Sequence, residues 1–281
     1  MKSKRKNIFL NLIMVICLFV FLFSAFQISK TLINEKKEAD EFNDLKTRFE
    51  HGIKRNNEST KKKNKETNEN VENDNSSNTE KVNAHDKNKR RTESTNENQE
   101  TIYEENGDLV GWIQIPDTPI DYPVMSTPRN PNFYLRKNFY KEKSLSGTPF
   151  IGEGLSPNAK SFIVYAHNMK NGSMFGTLEE YENEEYRNDH RYVYFTTTDE
   201  ERVYEVVAAF RVMLDGLSFG YYNYCGDWTK EEFNRYFERV FDLSVYDKKE
   251  PVSYDNQIMT LSTCSSFIEK ERFVVVTKRV R

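Results

Sequence analysis

Between Gly111 and Val280 one pattern recurs: short runs of β-branched and aromatic residues, each closed off by Pro, Gly, Asn or Asp. The runs are "GWIQI", "DYPVM", "TPFIG", "SFIVYA", "RYVYFTT", "RVYEVVAAFRVM", "NQIMTLSTC" and "RFVVVTKRV". Such residues fit a pleated surface, and the punctuation between them fits turns. About eight strands within one stretch of this length predict a mainly β domain, closed as a barrel or stacked as a sandwich, with helices at its periphery.

Two helical insertions interrupt the strands. The first follows "NGSMFG", is short, and carries Leu178 and Tyr181 among acids. The second has Thr229 and Glu232 at capping-box spacing, then Phe233, Tyr236, Phe237, Val240 and Phe241 at helical periods. That apolar stripe is expected to dock on the strands.

The chain before this domain is of another kind. Lys2, Lys4, Arg5 and Lys6 precede a nearly uncharged apolar run from Ile8 to Ile28. About 21 residues at 1.5 Å each reach about 30 Å, the thickness of a bilayer's hydrocarbon core. In the exit "LFSAFQISK" the residue three before any plausible cleavage point is large, unlike the small-x-small site of a signal peptide, so the run reads as an uncleaved anchor. Basic residues ahead of it hold the N-terminus in the cytoplasm and send the rest outside: a single-pass protein of the cell membrane. Residues 1–30 are thus the cytoplasmic tip and transmembrane anchor.

Residues 31–100 read as a juxtamembrane helix followed by a disordered stalk. Leu32, Ile33, Phe42, Leu45 and Phe49 sit among many charges, and from His51 to Glu100 there is no aromatic residue. Such a stretch buries too little apolar surface to offset its ordering entropy. The clusters "KKKNK" and "KNKRR" read as solvated linker charge. Composition changes near Tyr103, and residues 101–281 form the folded domain. A net charge of −3, with neither sign dominating the C-terminal half, excludes a general nucleic-acid binder.

Of three cysteines, Cys17 lies in the apolar run, leaving Cys225 and Cys264 as exported thiols. Cys264 closes the run "TLSTC" and is open to three readings: a buried small hydrophobe, half of a disulfide, or a nucleophile. An ordinary thiol is only about 3% thiolate at pH 7, so a nucleophile needs a nearby base or cation and an oxyanion donor. Among four histidines, His51 and His85 lie in the stalk, and His190 sits in the polar turn "RNDHRY". His167 stands where "SFIVYA" ends and a Gly/Asn-rich loop begins, a usual setting for functional side chains and also for structural ones. Arg272 opens the strand after Cys264; a hairpin would return it to the same rim, where a fixed guanidinium can hold a carbonyl or an oxyanion. Arg279 is the fallback, but strand alternation puts it on the opposite face. The histidines and cysteines lack metal-ligand spacing, so no metal or other cofactor is expected.

"LVGWIQIPDTPIDYPVM", "YAHNMKNGSMFGTL", "TLSTC" and "RFVVVTKRV", in this order across residues 101–281, together resemble a class B sortase. The resemblance implies an eight-stranded sortase-type β-barrel and a cysteine transpeptidase of the Gram-positive surface that anchors proteins to the cell wall. Within it, Cys264 corresponds to the nucleophile, His167 to the general acid/base and Arg272 to the ligand of substrate and oxyanion. Tyr165, Ser262 and Leu135 match positions lining the sorting-signal groove, and the Thr229 helix corresponds to the extra helix of class B. The implied partners are exported proteins bearing a C-terminal sorting signal, typically beginning Asn-Pro, and an acceptor amine. That amine belongs to a peptidoglycan precursor or, in pilin-polymerising relatives, to a lysine side chain. An exported cysteine peptidase or amidase, releasing the acyl group to water, is the rival with the same nucleophile.

Overall fold

The computed structural model describes residues 2–69, 102–152, 155–264 and 270–281, with Cys264 described through its backbone. The chain divides into two compact units, Met1–Leu45 and Lys46–Arg281.

A single helix, α1 (Lys2–Glu69), runs through the first unit and into the second. Its apolar side chains are exposed, Phe19, Phe23 and Ile28 among them, and by length and composition it is able to cross a membrane. The separate juxtamembrane helix expected from the sequence is part of this one helix. The helix continues past His51 as far as Glu69. The segment holds five lysines and no proline. The rest of the expected stalk lies outside the described residues.

In the second unit, Phe49 stacks on Trp112 with ring centroids 4.6 Å apart, and Lys46 Nζ lies 2.6 Å from the Asp121 carboxylate. A one-turn helix, α2 (Ile102–Glu105), then leads into the barrel.

The eight expected strands all form. They are β1 (Leu109–Gln114), β2 (Asp121–Ser126), β3 (Phe150–Ile151), β4 (Ser161–Tyr165), β5 (Tyr192–Thr196), β6 (Glu201–Met213), β7 (Ile258–Cys264) and β8 (Glu271–Arg279). They close in the order β1-β2-β3-β4-β7-β8-β6-β5. β2 pairs with β3, and β4 with β7, in parallel; the other neighbours are antiparallel.

Neighbouring residues of one strand serve two layers. Phe162 meets Phe195 and Tyr204 edge-on, while Ile163 belongs to a cluster with Phe210, Ile258, Val274 and Val276. That cluster is covered by α4 (Lys230–Leu243), which contributes Phe233, Tyr236, Phe237 and Val240. With both faces covered, β4 and the middle of β8 read as nearly continuous apolar runs rather than as alternating ones.

The α4 start is as the sequence predicts. The Glu232 amide donates to Thr229 Oγ1 at 3.2 Å, and the Thr229 amide donates to the Glu232 carboxylate at 2.8 Å. A cap of this type contributes about 1 kcal/mol. The first insertion is a 3₁₀ turn at Leu178–Glu182 followed by α3 (Glu184–Asp189), with Leu178 and Tyr181 buried.

Candidate active site

The parallel register of β4 and β7 matches Tyr165 with Ser262, the last of five such pairs. Contact continues one residue beyond the ladder. The Ala166 amide donates to the Ser262 carbonyl at 3.3 Å, and Thr263 Oγ1 donates to the Ala166 carbonyl at 2.8 Å. The same offset carried one step further sets His167 alongside Cys264. On its other side β7 pairs with β8, and the last matched residues are Cys264 and Arg272. Neighbouring strands lie about 4.8 Å apart. Three adjacent strands therefore end with histidine, cysteine and arginine at one level of the sheet, the cysteine in the middle.

A cleft of about 330 Å³ opens at this level, and His167 and Arg272 both line it, with Tyr165, Ser262 and Leu135. Each is held differently. Tyr165 is half-buried and stacks on Phe150 at 5.8 Å between centroids. Its ring passes over Gly152, where a Cβ would come within 2.5 Å of it, so only glycine admits this packing. Ser262 is fully buried, its hydroxyl 2.7 Å from the Tyr221 hydroxyl. Leu135, in the 3₁₀ turn Phe133–Arg136, is exposed, and its carbonyl accepts a hydrogen bond from His167 Nε2 at 2.8 Å. Arg272 donates from Nη1 to the Glu271 carbonyl at 3.0 Å.

Burial lowers the His167 pKa from the usual imidazole value. The Leu135 hydrogen bond opposes this, and the Arg136 charge adds to it.

Arg279 sits at the far end of β8, where it forms an ion pair with Glu200 and donates from Nε to the Arg281 carbonyl at 2.9 Å. It is not a lining residue of the cleft. His190 is not simply solvated, as its polar turn implied. Its Nδ1 lies 3.0 Å from the Pro116 carbonyl and its ring tilts over Tyr186 at 4.3 Å, so it fastens the end of α3.

The cleft has walls that the sequence analysis did not identify: Asn132, Phe150, Leu214, Tyr221 and Tyr222. The last two belong to a 3₁₀ turn at Tyr221–Asn223, inside the aromatic string "FGYYNY". Four aromatics in six residues, ahead of a capped helix, were the available signal that this connection packs rather than merely links.

A cysteine at the end of the middle strand, with a histidine and an arginine at the same level on its two neighbours and a cleft lined by both of these, is the set of residue types that acyl transfer needs. Comparison with known proteins agrees. A family model described as the sortase domain matches residues 113–280. The chain is 34% identical over 182 residues to sortase B of Listeria monocytogenes, covering 62% of this chain and 71% of that protein. To sortase B of Staphylococcus aureus it is 26% identical over 191 residues, covering 65% and 74%. The solved Clostridium perfringens sortase B superimposes with a TM-score of 0.59 at 28% identity, over 64% of this chain and 98% of that one. With motifs, barrel topology and relatives all in agreement, this chain belongs to the sortase family, on its class B branch, and is a cysteine transpeptidase.

Proposed function

We propose that the chain is a membrane-anchored enzyme that joins exported proteins to an amine of the peptidoglycan precursor. Cys264 Sγ attacks a backbone carbonyl of the C-terminal sorting signal, and the negative charge on its oxygen is met by the Arg272 guanidinium. His167 gives a proton to the departing amine, leaving a thioester on Cys264. The acceptor amine then attacks the thioester, and His167 removes its proton as the new amide forms and the thiolate departs. Tyr165, Ser262 and Leu135 hold the signal in the cleft. α1 is the anchor, with its basic tip in the cytoplasm and the barrel on the outer side, where clients and acceptor are both met.

The observation that carries this reading is the shared level of the β4, β7 and β8 ends: Cys264 pairs with Arg272, and the β4–β7 offset sets His167 on the other flank. A guanidinium keeps its charge at any physiological pH, so it is a dependable partner for an oxyanion. Membrane attachment rests on the exposed apolar length of α1 and on Lys2, Lys4, Arg5 and Lys6 ahead of it.

The test incubates the chain with a panel of sorting-signal peptides, those beginning Asn-Pro included, with and without an acceptor amine. Mass spectrometry is expected to find an acyl adduct on Cys264 and an amine-dependent ligation product, both lost in Cys264→Ala. A cleaved product formed equally well without amine would identify a peptidase instead, and turnover by Cys264→Ala would refute the nucleophile.

A further inference from the structure

The contact between His167 and Leu135 has a chemical consequence. A carbonyl oxygen only accepts, so the 2.8 Å contact to Leu135 requires the hydrogen on Nε2 of His167. A neutral ring then carries its lone pair on Nδ1. The residue that fixes the tautomer also contributes its exposed side chain to the cleft.

The carbonyl is not on a slack loop. The Thr148 amide donates to the Tyr134 carbonyl at 3.1 Å, and the Ser144 amide donates to the Arg136 carbonyl at 3.1 Å, so the segments on either side of Leu135 are clasped to the 144–148 segment. Tyr134 is fully buried; its hydroxyl donates to Asp108 at 2.8 Å and accepts from Asn106 at 2.9 Å. Gly147, at φ 63°, lies against the bend itself. A Cβ there would come within 2.6 Å of the Leu135 oxygen and 2.7 Å of the Tyr134 oxygen, so the carbonyl that holds the imidazole rests directly on a glycine.

We propose that Leu135 is the positioning residue of His167: its main-chain carbonyl, seated on Gly147, holds the imidazole as the Nε2–H tautomer and reserves Nδ1 for every proton transfer of the reaction. The proposal rests on His167 being the acid/base. In it Nδ1 takes the thiol proton of Cys264, giving thiolate and imidazolium, and hands that proton to the leaving amine. It later takes one from the incoming amine and returns it to the departing sulfur. Throughout, Nε2–H stays on the carbonyl, which a carboxylate does in many other triads. Since the Leu135 side chain faces the cleft, a bound signal that presses on it also seats the base.

The experiment labels the full chain with ¹⁵N-histidine, identifies the His167 ring signals by their loss in His167→Gln, and reads the tautomer directly. The parent is expected to show a protonated Nε2 and an unprotonated Nδ1. Gly147→Ala is expected to mix the tautomers and lower kcat on the order of 10²-fold, the usual cost of misplacing a reacting group by about 1 Å, with a smaller change in KM. Gly216→Ala is the control, because it carries the same left-handed strain at φ 77° but has open space around its Cβ. It should leave tautomer and turnover close to the parent.

Should Gly147→Ala fail to fold, Tyr134→Phe, which keeps the ring and removes only the clasping hydroxyl, is expected to shift the tautomer ratio and kcat in the same direction. A parent dominated by the Nδ1–H form overturns the proposal, as does a folded Gly147→Ala, or in its place Tyr134→Phe, with parent tautomer and turnover. The acyl adduct on Cys264 reports separately on the function: an adduct formed with the other tautomer sinks this inference alone.

Discussion

Strand β8 carries an arginine near each end, and their surroundings are opposite. Arg279 is ion-paired to Glu200 and bonded to the Arg281 carbonyl, beside a second ion pair of Lys278 with Glu205 at 3.1 Å. Arg272, about 23 Å away along the strand, has one hydrogen bond among the described residues, to the neighbouring Glu271 carbonyl, and lines the cleft. The first guanidinium has Nε and Nη2 committed to fastening the strand ends together, one of them to a carboxylate. The second has no carboxylate partner among the described residues and only its neighbour's carbonyl as acceptor. On the proposed function, what separates the structural arginine from the reactive one is the acceptor built around it, not residue type or position on a strand.

The sharpest way to break this comparison is to truncate each arginine in turn. Arg272→Ala is expected to reduce turnover by about 10² to 10³-fold, the usual loss when an oxyanion donor is removed, while the melting temperature stays near the parent's. Arg279→Ala should do the reverse, with turnover near the parent value and a stability loss of up to about 1 kcal/mol, since its ion pair is partly solvent-screened. Loss of activity in Arg279→Ala without loss of stability would erase the distinction.

A middle-sized effect sharpens it along β7, where two hydroxyls meet tyrosines. Ser262 meets Tyr221 at 2.7 Å on the cleft wall, and Thr260 meets Tyr236 at 3.4 Å beneath α4. Ser262→Ala and Thr260→Val should each cost about 1 kcal/mol in a melt. Only Ser262→Ala should also raise KM, because the ring it steadies lines the cleft. Equal KM values would mean that the wall does not depend on that hydroxyl.

The smallest effect concerns charge near the imidazole. His167 takes up protons less readily folded than unfolded, its folded pKa being lowered by burial first and further by Arg136. The stability linked to it is therefore complete above the ordinary imidazole value of about 6.5 and is lost as pH falls through that value toward the folded one. Arg136→Gln should move the His167 midpoint upward, by NMR titration, and soften this acid loss, whereas Arg136→Lys should change neither.

Much of this was legible in advance, for identifiable reasons. The strands announce themselves through Val, Ile and aromatic runs bounded by turn residues, and α4 through Thr229, Glu232 and its aromatic stripe. His167, Cys264 and Arg272 stand at strand ends that the motifs mark. The cleft walls were not legible, because Leu214, Tyr221 and Tyr222 sit in the connection between β6 and α4, and its place on the cleft is set by a partner distant in sequence, the Ser262 hydroxyl on β7 that meets Tyr221. Nor was the role of Leu135 in holding the imidazole, since a main-chain carbonyl leaves no trace in residue type.

The parallel contact of β4 with β7 spans the whole interval occupied by β5, β6 and α4. Contacts so distant in sequence are slow to form, because the intervening loop must close before they are rewarded. A molecule still folding thus has its histidine and its cysteine on separate, unassociated pieces. On the proposed function, reactivity arrives with the finished barrel, which keeps the sulfur unactivated among unfolded neighbours until there is a cleft to choose among them.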